Sequence, residues 1–228
     1  MIIDKEQLRT NLDKIIWQIE DARLSVDAHR IVQIVAVGKY TDIKNIKTLY
    51  ELGQRAFGEN QVQQLRDRNQ LLQDLPIQWH MIGTLQKNKI NNLIDINPTL
   101  FQALDSIELA QELDKKLKAK DKTMDCLLQI NSANEESKSG LNPQEAYDIY
   151  QEIQERFNNI NLQGVMSIGA HTNDTKTIQK SFETTYDIFD RLQKDGATIC
   201  SMGMSGDFEL AIKCGSNLVR VGSKLFKS

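Results

Sequence analysis

The stretch NLVRVGSKLFKS, Asn217 to Ser228, decides between the two folds that are open to this sequence. It begins with an apolar run that is typical of a buried strand, and only the six residues SKLFKS follow that run. Six residues are too few for a stable helix that could cover the last strand. A fold that ends on this strand therefore needs its covering helix from elsewhere in the chain.

Seven more apolar runs precede this one, and helical patterns separate most of them. The runs are QIVAVG (33–38), RAFG (55–58), IQWHMIG (77–83), TLFQAL (99–104), DCLLQI (125–130), LQGVMSI (162–168) and ATICSM (197–202). Strands that alternate with helices pair in parallel through right-handed crossovers. Eight such strands predict an α/β fold of the (β/α)8 TIM-type barrel class, and an open doubly wound sheet is the alternative.

An amphipathic segment near the N-terminus is the candidate for the missing helix. Its apolar residues recur at the helical period on one face: Leu8, Leu12, Ile15, Ile16 and Ile19. Asp4 and Gln7 have the spacing of a capping box. We predict a single domain over residues 1–228, in which residues 1–27 form an extra helix that packs on the barrel.

Composition and charge exclude several classes of protein. The net charge is −3 and the pI is about 5.7, whereas a nucleic-acid-binding protein needs a basic stripe. The N-terminal sequence MIIDKEQLRTNLDK has no apolar signal region, and no later stretch is apolar enough to span a membrane. Three widely spaced cysteines, Cys126, Cys200 and Cys214, predict free thiols in a reducing compartment and no metal site. The sequence predicts a cytoplasmic protein with neither nucleic acid nor membrane as a partner.

Local signals mark the ends of several helices. Asp105 with Glu108 indicates one helix start, and Asn142 followed by proline indicates another. Gly196 is typical of a helix end. Ser205 is either the cap of a short helix or a hydroxyl that contacts a ligand, and the sequence leaves both interpretations open.

Polar side chains stand where the predicted strands end. In a (β/α)8 barrel the carboxyl ends of the strands and the loops after them form the active face. The candidates at that face are Lys39, Asn60, His80, Met166 and Arg220. A strand-end lysine is most often a solvated group, but Lys39 could instead be a partly desolvated, reactive amine in a pocket. His80 could equally be a hydrogen-bonded core residue.

The loops after strands 7 and 8 have the residues of an anion site. Ser201 and Ser205 offer hydroxyls, Gly203 leaves room for the backbone to approach an anion, and Gly222-Ser223 forms an opposite wall. These two loops are a recurrent phosphate site in barrels of this class. The pattern SMGMSGD is a weak signal when taken alone.

Arg220 needs an explanation because it alternates with apolar residues on a strand that is buried on both sides. A buried guanidinium is costly unless it pairs with a carboxylate or faces a ligand, and both remain open. An arginine beside a phosphate loop, across the barrel from a lysine, is the arrangement that pyridoxal phosphate (PLP) requires.

Several motifs together resemble the pyridoxal phosphate homeostasis protein family. They are VAVGKY, FGENQVQQ, WHMIGTLQKNK, QINSANEESKSGL, GVMSIGA and SMGMSGDFELAIKCGSNLVRVGSKLF, in order from Leu8 to Phe226. The resemblance implies the barrel of the alanine racemase N-terminal domain. Three departures from the family pattern are Gly38 in place of serine, Gln61 in place of tyrosine, and His171 near a usual proline.

The resemblance also implies roles for individual residues. Lys39 would bind PLP covalently as a Schiff base, and Arg220 would face the pyridine nitrogen. Ser201, Gly222 and Ser223 would surround the phosphate. Asn60, His80 and Met166 would line the remainder of the cofactor pocket.

These residues allow two main functions. The first is a PLP-binding protein that takes part in intracellular PLP (vitamin B6) homeostasis without appreciable turnover. The alternative is a PLP-dependent amino-acid racemase or lyase that uses Lys39 as a base. A racemase on this barrel uses a tyrosine from a second domain, and Tyr40 is expected to point away from Lys39 because adjacent strand residues alternate. A barrel without a cofactor is a third, weaker hypothesis.

The sequence also leads to expectations about partners, oligomeric state and one polar loop. The expected partners are PLP and apo forms of PLP-dependent enzymes, and the expected state is a monomer or a weak dimer. The polar loop at residues 131–140 is either a solvated connection or a lid over the site.

Overall fold

A computed structural model describes residues 1–133, 135 and 139–227. Four of the ten residues in the polar loop that sequence analysis considered as a lid, residues 134 and 136–138, lie outside the described residues. The described chain alternates strands and helices after a first helix, as the sequence pattern predicts.

Eight strands form the inner layer of the molecule. They are β1 (Gln33–Val37), β2 (Ala56–Glu59), β3 (Gln78–Met81), β4 (Leu100–Leu104), β5 (Met124–Ile130), β6 (Ile160–Ser167), β7 (Ile199–Ser201) and β8 (Leu218–Val221). Each pairs in parallel with the next, and β8 pairs with β1, so the sheet is a closed barrel. The predicted (β/α)8 barrel is confirmed, and the open sheet is wrong.

Eight helices form the outer layer in the described part of the chain. They are α1 (Lys5–Leu24), α2 (Ile43–Glu51), α3 (Val62–Leu71), α4 (Ile90–Ile96), α5 (Ile107–Ala119), α6 (Ala146–Arg156), α7 (Thr175–Leu192) and α8 (Phe208–Lys213). Short 3-10 turns, Lys87–Lys89 and Gln193–Asp195, precede α4 and follow α7. No helix in the described part of the chain is long and apolar enough to cross a membrane.

The first helix takes the position that a helix after β8 would occupy. Residues 222–227 form only turns, and α1 packs between α2 and α8, beside the β8–β1 seam. The Asn11 side-chain amide donates to the carbonyl oxygen of Leu225 at 2.9 Å, which ties α1 to the segment after β8. The apolar face of α1 is therefore buried against the barrel.

Local interactions at helix starts differ in part from the sequence prediction. Asp4 does cap α1, but the side chain of Gln7 donates to Asn11 instead of closing a capping box. The cap of α5 is Ser106, not Asp105, because its hydroxyl accepts from the Leu109 amide at 3.2 Å. Asn142 accepts from the Gln144 amide in a turn that precedes α6.

One glycine and three cysteines behave largely as the sequence predicts. Gly196 adopts the left-handed conformation (φ 92°), one 3-10 turn beyond α7. Cys126 and Cys200 are buried free thiols, whereas Cys214 is only half-buried. Burial raises the pKa of the Cys214 thiol to about 11, so this thiol is protonated at neutral pH.

Two neighbouring isoleucines test the role of α1 as the covering helix. Ile15 is 2% exposed, whereas Ile16, which sequence analysis placed on the same apolar face, is 42% exposed. We expect Ile15→Ala to lower the free energy of unfolding by about 2–5 kcal/mol, because it leaves a cavity under α1. Ile16→Ala should change it by less than about 0.5 kcal/mol. Denaturant titration of both variants measures the difference, and equal effects would contradict the packing described for α1.

Candidate functional site

A cavity opens at the carboxyl ends of β1 and β8. Its volume is about 340 Å³, and its lining includes Lys39 and Gly222 with Ser223. The other lining residues are Met1, Ile3, Val37, Tyr40, Thr41 and Phe226. Because β1 and β8 are neighbours in the closed barrel, the amine from one end of the sequence lies beside the glycine and serine from the other. Three of the eight predicted site residues thus share one cavity.

Lys39 lies in the loop after β1. The strand ends at Val37, and residues 39 and 40 form a turn closed by the Thr41 amide, which donates to the Gly38 carbonyl at 3.0 Å. The Lys39 side chain is exposed, so the expected partial desolvation is not present. The turn carries the amine to the rim of the cavity instead of pointing it into the barrel.

Tyr40 does not point away from Lys39. Its backbone is left-handed (φ 68°), and the Lys39 ammonium lies 5.8 Å from the centroid of the Tyr40 ring. The expectation of opposite directions is wrong because it assumed an extended strand, whereas the strand has already ended. A phenol and an amine therefore lie on the same cavity.

The loop after β8 presents free hydrogen-bonding groups at the cavity. The hydroxyl of Ser205 accepts from the amides of Gly222 at 3.1 Å and Lys224 at 3.4 Å. Among the described residues, neither the backbone amide nor the hydroxyl of the exposed Ser223 has a hydrogen-bond partner. Ser205 thus shapes this loop rather than capping α8, whose N-cap residue is Asp207. The Asp207 side chain accepts from the Met204 amide within the loop before α8.

Gly203 is explained by packing rather than by room for an anion. Its φ is +90°, and an added Cβ would lie 2.7 Å from the Cβ of Ala211 and 2.8 Å from the Cα of Phe208. Those atoms belong to α8, which packs directly on the loop after β7. Close packing against α8, rather than room for an anion, therefore explains the glycine at position 203.

Arg220 is buried inside the barrel and bonds to the ends of β6 and β7. Its Nη1 donates to the carbonyl of Ser201 at 2.9 Å and to its hydroxyl at 2.5 Å, while Nη2 donates to the Ser167 carbonyl at 2.7 Å. No side-chain carboxylate is among these partners, so the structural ion pair considered for Arg220 is not formed within the described chain. Burial lowers its pKa to about 10, which leaves the guanidinium charged at neutral pH.

A chain of buried hydrogen bonds extends from Arg220 across the barrel. The Ser201 hydroxyl donates to Gln102 Oε1 at 2.7 Å, and Gln102 Nε2 lies 2.8 Å from His80 Nδ1. Since Gln102 Nε2 is a donor, His80 Nδ1 accepts and its proton lies on Nε2. Burial lowers the pKa of His80 to about 4, so the imidazole is neutral at pH 7.

Asn60 and Met166 occupy positions around this interior. Asn60 follows β2 and is half-buried, and its carbonyl contacts the backbone at Gly83, where an added Cβ would come within 2.1 Å. Met166 is 1% exposed and pairs with Ser201 across β6 and β7. Neither residue lines the cavity that holds Lys39.

Sequence reasoning missed two buried polar residues, Gln102 and Arg68. Gln102 is 0% exposed, and the signal for it was a single amide in the otherwise apolar run LFQAL. Arg68 follows Val62 and Leu65 on the buried face of α3 and pairs with Glu59 at the end of β2. Burial raises the pKa of Glu59 to about 7, and the Arg68 guanidinium opposes that rise.

No cluster of His, Cys, Asp or Glu among the described residues could hold a metal ion. The chemically distinctive groups at this face include the Lys39 amine, the Tyr40 phenol, the free donors of Ser223 and the buried Arg220 network. An amine beside anion-binding donors suits an aldehyde that also carries a phosphate.

Comparisons with known proteins show the family of this chain. Residues 3–228 match the family described as "Alanine racemase, N-terminal domain". A curated relative from Helicobacter pylori, named pyridoxal phosphate homeostasis protein, is 50% identical over 219 residues, which cover 96% of this chain and 98% of the relative.

Solved structures show the same fold. PipY of Synechococcus elongatus PCC7942 with PLP bound is 27% identical to this chain and has a TM-score of 0.82. The match covers 96% of this chain and 99% of the PipY chain. An alanine racemase of Clostridium difficile 630 has a TM-score of 0.79 at 17% identity, over 97% of this chain and 56% of the racemase. The racemase comparison concerns the fold alone.

The neutral, buried His80 predicts a pH dependence of stability. In the unfolded chain the His80 imidazole takes up a proton near pH 6.5, whereas in the folded chain it does so only near pH 4. Stability contributed by neutral His80 is therefore present above pH 6.5 and is lost as the pH falls towards 4, by up to roughly 3 kcal/mol.

The variant His80→Gln keeps a polar side chain but removes this proton site. Between pH 7 and pH 4 the native protein should lose more unfolding free energy than the variant does, in urea titrations at matched ionic strength. Parallel stability curves for the two proteins would contradict the burial of a neutral imidazole at this position.

Proposed function

Because the chain belongs to the pyridoxal phosphate homeostasis protein family, within the alanine racemase N-terminal domain family, we propose that it binds PLP and takes part in PLP homeostasis. Lys39 holds the cofactor covalently as a Schiff base, and the protein does so without appreciable turnover. One observation carries this proposal: the cavity that joins the Lys39 amine to the free donors of Ser223.

The residues at the cavity fit PLP. Its volume of about 340 Å³ lies within the range of roughly 300–1,000 Å³ that is usual for cofactor-sized sites. Lys39 offers the amine, and Gly222 with Ser223 offers the backbone and hydroxyl donors for the phosphate. The stem of Lys39 is long and flexible, so the exposed amine needs no backbone movement to turn into the cavity.

The other predicted residues support the pocket from beneath. Ser201 acts through Arg220, to which its hydroxyl is bonded, rather than at the cavity wall. His80, Asn60 and Met166 surround the barrel interior below the mouth, and we assign them to the part of the pocket that borders the cofactor ring.

Arg220 is the reason to propose binding without turnover. When bound, PLP stabilises carbanions best if its ring nitrogen is protonated. Three of the five N–H groups of the Arg220 guanidinium bond to Ser201 and Ser167, and the remaining donors are proposed to face that nitrogen. A cation at this place opposes protonation of the ring, because like charges disfavour each other.

The racemase or lyase alternative is supported by one observation, the position of Tyr40. Its phenol lines the same cavity as the Lys39 amine, so a second acid or base is available there. Tyr40 is 89% exposed, however, and a catalytic group works best where water is excluded. Binding without turnover therefore remains the first proposal.

The proposal also includes the domain organisation, the cellular location, the oligomeric state and the recipients of the cofactor. Residues 1–228 form one PLP-binding domain, with residues 1–27 as the covering helix segment, in a cytoplasmic protein that is a monomer or a weak dimer. Apo forms of PLP-dependent enzymes are the proposed recipients of the cofactor. The free thiols support a reducing compartment.

Trapping the Schiff base tests the first proposal. Protein mixed with PLP should develop a visible absorbance band, and borohydride reduction should fix the cofactor on the peptide that contains Lys39. Lys39→Ala should abolish both the band and the label, because no other amine lines the cavity with its side chain among the described residues. Lys47→Ala, an exposed lysine on α2, is the matched control and should leave both unchanged. A label spread over surface lysines in the native protein would contradict the assignment.

Hydrogen exchange distinguishes binding from catalysis. With PLP and an excess of L-alanine in D2O, we expect no measurable deuterium at the substrate Cα over many hours, as followed by NMR. Exchange that Tyr40→Phe abolishes would favour the racemase or lyase instead, with Tyr40 and Lys39 as its two bases.

A further inference from the structure

The loop that carries Lys39 is held from below by a side chain of the neighbouring helix. Arg68 reaches from α3 beneath the loop after β1, and its Nη1 donates to the Gly38 carbonyl at 2.6 Å. Its Nη2 donates to the Thr41 carbonyl, also at 2.6 Å. One guanidinium therefore bonds to the backbone on both sides of Lys39 and Tyr40.

Two further side chains fix the guanidinium. Arg68 Nη1 pairs with the carboxylate of Glu59, which is 0% exposed at the end of β2. The amide of Gln64, oriented with its nitrogen towards Glu59 at 3.0 Å, places its oxygen 3.2 Å from Arg68 Nη2. These contacts engage four of the five N–H groups of the guanidinium. Four hydrogen bonds from the planar guanidinium, rather than one, therefore fix its position.

Gly38 makes room for this arrangement. An added Cβ at position 38 would lie 2.5 Å from both Arg68 Nη1 and Glu59 Oε1, closer than real Cβ atoms approach other groups. The glycine therefore lets the ion pair lie directly against the loop backbone. We refer to Arg68, Glu59, Gln64 and Gly38 as the Arg68 clamp.

The loop needs such support because its backbone is unusual. Tyr40 is a bulky non-glycine residue in the left-handed region (φ 68°), and its side chain is 89% exposed. Strained conformations of this kind persist only where the surrounding structure fixes them. Packing of the Tyr40 side chain does not do so, whereas the two bonds from Arg68 hold the carbonyls at either end of residues 38–41.

We propose that Arg68 is a positioning residue that holds the Lys39 loop, so that the amine is presented at the cavity shared with Gly222 and Ser223. This inference rests on the proposed function, since it concerns how Lys39 meets PLP. The clamp also joins the end of β2, where Asn60 directly follows Glu59, to the loop after β1. Two strand ends of the site are thereby held in one arrangement.

The test compares three variants. Arg68→Met combined with Glu59→Gln removes the clamp without leaving a buried, unpaired carboxylate, which would endanger the fold. Arg68→Lys keeps a cation that can reach the carbonyls but lacks the fork. Arg66→Met, at an exposed position two residues away on the same helix, is the matched control.

Two measurements are made on each protein at a temperature where all are folded. The first is the rate constant at which added PLP modifies Lys39, followed by the absorbance band and confirmed by borohydride labelling. The second uses the protein without PLP and records hydrogen exchange of the Thr41 amide, which donates to the Gly38 carbonyl.

We expect the double variant to modify Lys39 at least about tenfold more slowly, because small displacements of a reacting group cost rate. Its Thr41 amide should exchange at least about tenfold faster, because the turn loses its support. Arg68→Lys should lie between the double variant and the native protein, and Arg66→Met should match the native protein in both measurements.

An unchanged rate or an unchanged exchange in the double variant would overturn the positioning role. If the native protein itself fails to label at Lys39, the proposed function falls, and the exchange of Thr41 alone then decides whether the clamp holds the loop. The two failures are thus distinguishable.

Discussion

The parallel pairing of β8 with β1 is the interaction on which the rest of the molecule depends. It closes the sheet, so that no strand is left with unpaired backbone groups, and it fixes Gln33 to Ala36 in register with Leu218 to Val221. The same closure sets the loop with Lys39 beside the loop with Gly222 and Ser223. It also creates the seam that α1 covers. The same strand pairing therefore closes the fold and brings the parts of the site together.

The interior of the barrel departs from a simple apolar core. His80, Gln102, Ser201 and Arg220 are buried and form one continuous chain of hydrogen bonds. Such groups are costly to bury unless every partner is present, so the chain must be complete to be stable. The resulting interior holds a charged guanidinium below the cavity, and its described hydrogen-bond partners are carbonyls and a hydroxyl rather than a carboxylate. This is a property suited to an electron-rich ligand rather than to packing alone.

Local sequence signals predicted the fold better than they predicted individual contacts. All eight strands and the covering helix follow from apolar periodicity, because burial requires a repeating pattern that is visible in the sequence. Helix caps were less certain: the hydroxyl of Ser106 rather than Asp105 caps α5, and Ser205 bonds to the distant loop after β8. Several residues near a helix start can cap it, and only the backbone path selects one of them. Ile16 was misplaced because it lies at the edge of the apolar face.

The sequence by itself determined the barrel and the covering position of the first helix, and it predicted the candidate site residues, since strand spacing and the motifs at strand ends are local features. Only the tertiary structure decided which groups meet. It placed Tyr40 beside Lys39, tied Ser201 to Gln102 and Arg220, and set Arg68 beneath the loop of Gly38 and Thr41. Apart from the neighbours Lys39 and Tyr40, these contacts join residues from different strands, helices and loops. All of them depend on the direction of each side chain in three dimensions, which no periodicity in the sequence encodes.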